Sequence, residues 1–210
     1  MRRALVLLAS LHVCLAAGAD PDTRWQGMQT AVLREQNLSQ VESYLKAGFD
    51  PQSPIGCGTF DSLDGAVLTH NLDMVALLLR YGARPKESTF VDAAFLDSAE
   101  IAVRIVSAFL QAGSDVNSRR DRGIPSHYWT ALDQAVWRQN VELVRLLVSQ
   151  KGISLNDING DGYTPLEIAQ QKGNATIVRL LLEAGADPSV KGFRASTSTL
   201  AASTATNPAP

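Results

Sequence analysis

One phrase returns five times along this chain of 210 residues. Its clearest copy is Leu-Leu-Leu-Glu-Ala-Gly-Ala-Asp-Pro at 180–188, and Leu-Leu-Leu-Arg-Tyr-Gly-Ala-Arg-Pro at 77–85 is a second. Looser copies occupy 44–51 and 109–117, and a fifth runs from Leu146 through Gly152 to Asn156. The glycines at 48, 82, 113, 152 and 185 stand 34, 31, 39 and 33 residues apart. A period near 33 excludes a single globular core; it specifies stacked supersecondary units, each too small to bury its apolar face alone. Such a scaffold directs function towards binding.

The last unit shows how the phrase folds. Gly162 allows a turn, Thr164 is placed to cap a helix, and Pro165 fits a first helical turn, where a missing N–H costs nothing. Leu166, Ile168 and Ala169 begin that helix, and Lys172-Gly173-Asn174 breaks it. Ile177, Val178, Leu180, Leu181 and Leu182 then supply an apolar stripe of helical period, closed by Gly185.

This pattern resembles the ankyrin repeat, with its Thr-Pro-Leu opening, two antiparallel helices and Gly-Ala-Asp close. The resemblance runs from about Trp25 to Val190. It also rests on Thr130-Ala131-Leu132-Asp133-Gln134-Ala135, on 141–147, and on 72–79. It implies an all-α solenoid of about five helix-turn-helix repeats joined by β-hairpin-like loops. The repeats fall near 25–51, 60–85, 88–117, 129–156 and 162–188, inside a domain spanning 20–190. The first lacks Thr-Pro-Leu and carries Arg34, Glu35, Gln36 and Gln40, as suits an N-terminal cap with a wet outer face. The third has no Gly between its helices and is about three residues longer. At the inter-helix turn of the second repeat, His70 reads as a helix terminator.

The ends of the chain read differently. Residues 1–19 combine Arg2 and Arg3 with an apolar run and Ala17-Gly18-Ala19, the pattern of a secretory signal peptide cut before Asp20. The run is shorter than the roughly 20 residues of a membrane span, so an uncleaved anchor is the weaker alternative. Val13 before Cys14 argues against lipid attachment. Residues 195–210 hold only Ala, Ser, Thr, Pro, one Leu and one Asn, and 191–210 is expected to be a disordered tail.

Two of the 19 basic residues leave with the leader, so 17 basic face 21 acidic residues, a net charge of −4. That balance argues against nucleic acid as a partner. Only Cys57 remains, so no internal disulfide forms and packing carries the stability. A loop cysteine by chance is preferred over a reactive thiol. Asp157-Ile158-Asn159-Gly160-Asp161-Gly162 resembles half a calcium loop, but its twelfth position is Ile168 rather than a bidentate Glu. A repeat hairpin uses the same residues for its turn. No metal cluster, phosphate loop or nucleophile elbow is present, so no cofactor and no catalysis are expected.

Where repeats carry insertions, these map to one face, often the binding face. Here 52–60 and 118–129 exceed the period, and the second brings Arg119, Arg120 and Arg122 beside His127, Tyr128 and Trp129. Arg, Tyr and Trp are enriched at interface hot spots. Aligned repeats place Phe60, Trp129 and Tyr163 just before the Thr position, and Trp137 against Gln171 late in the first helix. The resemblance implies a concave binding face of hairpin tips and first helices. The candidate site is therefore an aromatic row, Phe60, Trp129, Trp137 and Tyr163, flanked by Tyr128 and the three arginines. An alternative stands beside it, in which Tyr128 and Trp129 fold over the long loop as local packing. The expected protein is a periplasmic or secreted monomer that binds one protein partner. Immunity against a delivered toxin and action on a host protein are its more specific alternatives.

Overall fold

A computed structural model describes residues 24–55, 59–120 and 128–193. The leader, Cys57, Arg122, His127 and the tail from 194 lie outside these residues. Ten helices occur among the described residues, in two compact units that divide after Pro85.

The first unit holds α1 (Arg24–Leu33), α2 (Leu38–Lys46), α3 (Ser62–Leu68) and α4 (Leu72–Arg80). Helix α1 packs on α2 and α3, and α4 packs on α2 and α3. Gly65 permits this approach, since a Cβ there would stand 2.8 Å from Val32 Cγ1 and 3.0 Å from Leu33 Cδ2. Met28, Val32, Val41, Leu63, Met74 and Leu78 fill the interior.

The second unit holds α5 (Glu87–Ala94), α6 (Ala99–Gln111), α7 (Ala131–Trp137), α8 (Val141–Val148), α9 (Pro165–Gln171) and α10 (Ala175–Glu183). First helices α5, α7 and α9 pack in sequence, and second helices α6, α8 and α10 do the same behind them. Phe90, Phe109, Leu132, Leu143, Leu147 and Ile177 are fully buried between the layers. This is the repeat architecture that the period specified.

Local chemistry sets each helix boundary. Helices α3, α7 and α9 open with reciprocal capping boxes, Asp61 with Asp64, Thr130 with Asp133 and Thr164 with Glu167. Four second helices open on an asparagine, Asn37, Asn71, Asn140 and Asn174, whose side chain accepts a backbone N–H three residues on. Between paired helices the chain passes through left-handed backbone at Gln36, His70 and Gln139, with φ of 49°, 57° and 56°, and at Gly173. His70 thus ends its helix conformationally, and a non-glycine residue there is strained by roughly 1–2 kcal/mol. Within each unit a side-chain bond ties these turns together: Asn71 Nδ2 donates to Gln36 Oε1 at 3.2 Å, and Asn174 Nδ2 to Gln139 Oε1 at 3.4 Å.

The third pair departs from this plan. Its turn at 95–98 has no left-handed residue, and Ser98 caps α6. Helix α6 runs 13 residues where the neighbouring α8 has 8, so the surplus length lies there. Helix α5 begins at Glu87, which leaves Thr89 buried inside the helix rather than capping it.

Of the expected hairpins, one forms a ladder: β1 (Arg119–Arg120) pairs antiparallel with β2 (Trp129–Thr130), Arg119 opposite Thr130. In the first unit an isolated bridge joins Pro54 and Asp61. After α10 the chain forms a short strap. Gly192 N–H donates to both oxygens of buried Glu167, at 3.1 and 3.0 Å, and Phe193 lies against Gly162.

Candidate functional site

The insertion between the third and fourth repeats leads into the centre of the site. Pairing of β1 with β2 closes the loop and delivers Trp129 directly before the Thr130 cap of α7. Seven residues later α7 ends at Trp137, and the two indoles meet edge to face, with centroids 5.6 Å apart and planes at 84°. That geometry directs the positive edge of one ring at the negative face of the other. Trp129 is half-buried by the contact, while Trp137 remains 44% exposed. Lys172, the C-cap of α9, lays its ammonium 3.3 Å from the centroid of Trp137. The site is thus two aromatic rings and a cation, contributed by a hairpin strand and the ends of two successive first helices.

Two arginines of the insertion, Arg119 and Arg120, are held by carboxylates of the same unit. Arg119 forms an ion pair with Asp157, and Arg120 pairs with Asp92 on α5. Both cations are matched within the unit, and they tie the root of the hairpin to its neighbours. Arg138 follows the same rule. Its guanidinium lies 4.0 Å from the Phe95 ring centroid, donates from Nε and Nη2 to the Phe95 carbonyl at 3.0 and 2.7 Å, and reaches Asp97 Oδ1 at 2.6 Å.

The remaining candidates sit elsewhere. Tyr128 and Tyr163 are half-buried, and among the described residues neither ring joins the tryptophan pair. Their carbonyls serve the hairpins: Tyr128 O accepts from Gly160 N at 3.1 Å, and Tyr163 O from Asn159 N at 2.9 Å. Phe60 belongs to the first unit, half-buried, with its carbonyl accepting from Ile55 N at 2.8 Å. Sequence reading treated Lys172 only as a helix breaker. Its signal was its place 35 residues after Trp137, one repeat on, from which a long side chain reaches back.

Beneath the hairpin lies a buried acid. Asp133 Oδ2 accepts from Thr130 N and from Thr130 Oγ1, both at 2.9 Å, but Oδ1 is buried without a hydrogen-bond partner. Burial pushes its carboxyl up to about 7, against the opposing pull of Thr130 and Arg119, and Asp157 adds to the rise. Gln134 Oε1 and Asn159 Nδ2 are likewise buried and unpartnered. Among the described residues no group of His, Cys, Asp and Glu is arranged to hold a metal ion.

Residues 91–192 match the family described as ankyrin repeats, in three copies. An ankyrin repeat-containing protein of Treponema pallidum (strain Nichols) is 36% identical over 96 residues, 45% of this chain and 30% of that protein. The nuclear factor NF-kappa-B p105 subunit of Gallus gallus is 30% identical over 174 residues, 79% of this chain and 17% of that protein. The chain therefore spans less than a third of either relative. Among solved structures, an ankyrin repeat domain from Acinetobacter baumannii AYE superposes with a TM-score of 0.68 at 25% identity, covering 80% of this chain and 85% of that one. The ankyrin repeat domain of Bcl-3 shares the fold, with a TM-score of 0.64 at 23% identity over 80% of this chain and 75% of that one.

Proposed function

We propose that this chain, whose residues 91–192 match the ankyrin repeats and whose fold is that of ankyrin repeat domains, is a non-enzymatic module binding one protein partner through the tryptophan face of its second unit. One observation carries the reading. A large aromatic side chain, Trp137, is left 44% exposed and braced by Trp129 and Lys172, on a scaffold whose other large side chains are mostly interior. A half-exposed tryptophan offers large contact area at little entropic cost, and tryptophan is enriched among interface hot spots. The long insertion sets Trp129 against it, as insertions in repeat proteins place binding residues. Arg119 and Arg120 are matched within the unit, so they position the hairpin and Trp137, braced by Trp129, carries the contact.

The site of action we propose is the periplasm or the secreted space. This part of the reading rests on residues 1–19, with their Arg pair, apolar run and Ala-Gly-Ala close. No helix among the described residues is long and apolar enough to cross a membrane. Neutralising a delivered toxin is the specific role that an adjacent effector gene would favour.

The test is affinity capture from the source cells with the chain lacking its leader, followed by mass spectrometry, run in parallel with Trp137→Ala and Trp129→Ala. One protein held by the wild type and lost by both variants, each still helical by circular dichroism, is the expected outcome. Equal capture by all three removes the tryptophan face as the binding surface. Fractionation of cells bearing the tagged full chain tests export, and a wholly cytoplasmic product overturns that part.

A further inference from the structure

The second unit repeats one small device in two copies, and the copies differ by one charge. In the first, Arg138 lies over the Phe95 ring and meets the Asp97 carboxylate, two residues beyond that ring. Ring, cation and anion are all supplied by the chain. In the second, Lys172 lies over the Trp137 ring, and the residue two beyond is Gln139, a neutral amide occupied by Asn174. Among the described residues Lys172 has no carboxylate partner. The nearby cations Arg119, Arg120 and Arg138 are all paired, so the uncompensated positive charge of this face lies on the exposed tryptophan.

We infer that the tryptophan face takes an acidic segment of its protein partner, with one Asp or Glu carboxylate completing the Trp137–Lys172 pair as Asp97 completes Phe95–Arg138. The inference rests on the proposed binding role and names the chemistry of the partner. The carboxylate meets the Lys172 ammonium from the side away from the indole. An apolar neighbour in the same segment covers the open part of Trp137. The electron-rich face of the indole attracts the ammonium, so Lys172 is held in place before the anion arrives. A pre-placed cation loses less side-chain entropy on binding than a free lysine does.

The test follows the indole N–H signals of the full chain by NMR while two synthetic peptides are added, Ac-Ala-Glu-Phe-Glu-Ala-NH2 and Ac-Ala-Lys-Phe-Lys-Ala-NH2. The acidic peptide is expected to shift the Trp129 and Trp137 signals saturably, to leave Trp25 unmoved, and to bind at least fivefold more weakly in 0.5 M salt. Lys172→Gln should abolish the shift, and Lys172→Glu should transfer it to the basic peptide. Gln139→Asp, which installs an internal carboxylate at the position of Asp97, should weaken acidic-peptide binding several-fold. Equal response to both peptides, an equal response to inorganic phosphate, or no loss in Lys172→Gln would each overturn the inference. Failure of the wider binding role has a separate signature, a captured partner indifferent to Trp137→Ala. A partner that needs Trp137 but ignores Lys172→Glu sinks only the carboxylate.

Discussion

Asp133 makes the stability of the fold depend on pH in the direction opposite to an ordinary carboxylate. It is fully buried beneath the hairpin, with Oδ1 unpartnered, and burial raises its carboxyl from an ordinary 3.8 to about 7. The unfolded chain releases this proton near pH 4, while the folded chain keeps it to about pH 7. Between those values the folded state binds the extra proton, so stability falls as pH rises. The contribution is whole below about pH 4 and gone above the folded value. A displacement of this size corresponds to roughly 4 kcal/mol across the full window. Asp133→Asn removes the titration while its amide oxygen still accepts from Thr130 N. Urea unfolding of both proteins from pH 4.5 to pH 8 isolates the effect, because the other acids cancel in the difference. Wild type should lose about 3 kcal/mol relative to Asp133→Asn across that range. A difference constant within about 0.5 kcal/mol would show that burial does not dominate the site. A difference of opposite sign would mean that Thr130 and Arg119 hold the carboxylate ionised, and would refute the reasoning outright.

Three further outcomes follow from the repeats. His70→Gly should raise stability by about 0.5–1 kcal/mol, because glycine adopts the left-handed turn without strain; a lower urea midpoint would contradict this. Gly192→Ala should destabilise the C-terminal end by about 1–2 kcal/mol, since its Cβ would stand 2.0 Å from Gly162 O and break the N–H bonds to Glu167. Hydrogen exchange at the Glu167 helix reads that loss, and unchanged protection would show that the strap holds nothing. Asn117 bridges successive repeats, donating to Gly152 O at 2.8 Å and accepting from Ser154 N at 2.8 Å. Asn117→Ala should therefore cost about 1–2 kcal/mol in thermal or urea unfolding, whereas a surface-like effect near zero would argue against the bridge.

The helix pairs, the helix end at His70 and the Thr164 cap were legible because each is fixed within about five residues by backbone sterics and local hydrogen bonds. The third repeat was less so. The sequence shows no Gly between its helices, and α5 starts at Glu87, where Phe90 and Val91 are buried. The aromatic candidates show the same limit. Alignment placed Phe60, Trp129 and Tyr163 at equivalent positions, but equivalence along a repeat does not say which rings touch.

By itself, the sequence determined the repeat. A period near 33 with leucines at helical spacing leaves stacked helix pairs as the arrangement that buries the apolar faces, and the 39-residue step marked where the stack carries something extra. Tertiary structure alone decided what that extra segment does. Charge matching across repeats consumed Arg119 and Arg120, which the sequence offered as binding residues, and left Lys172 over Trp137 instead. The reason is reach. A partner one repeat away is about 35 residues distant in sequence, and which cation meets which ring or carboxylate is fixed only when the helices are stacked.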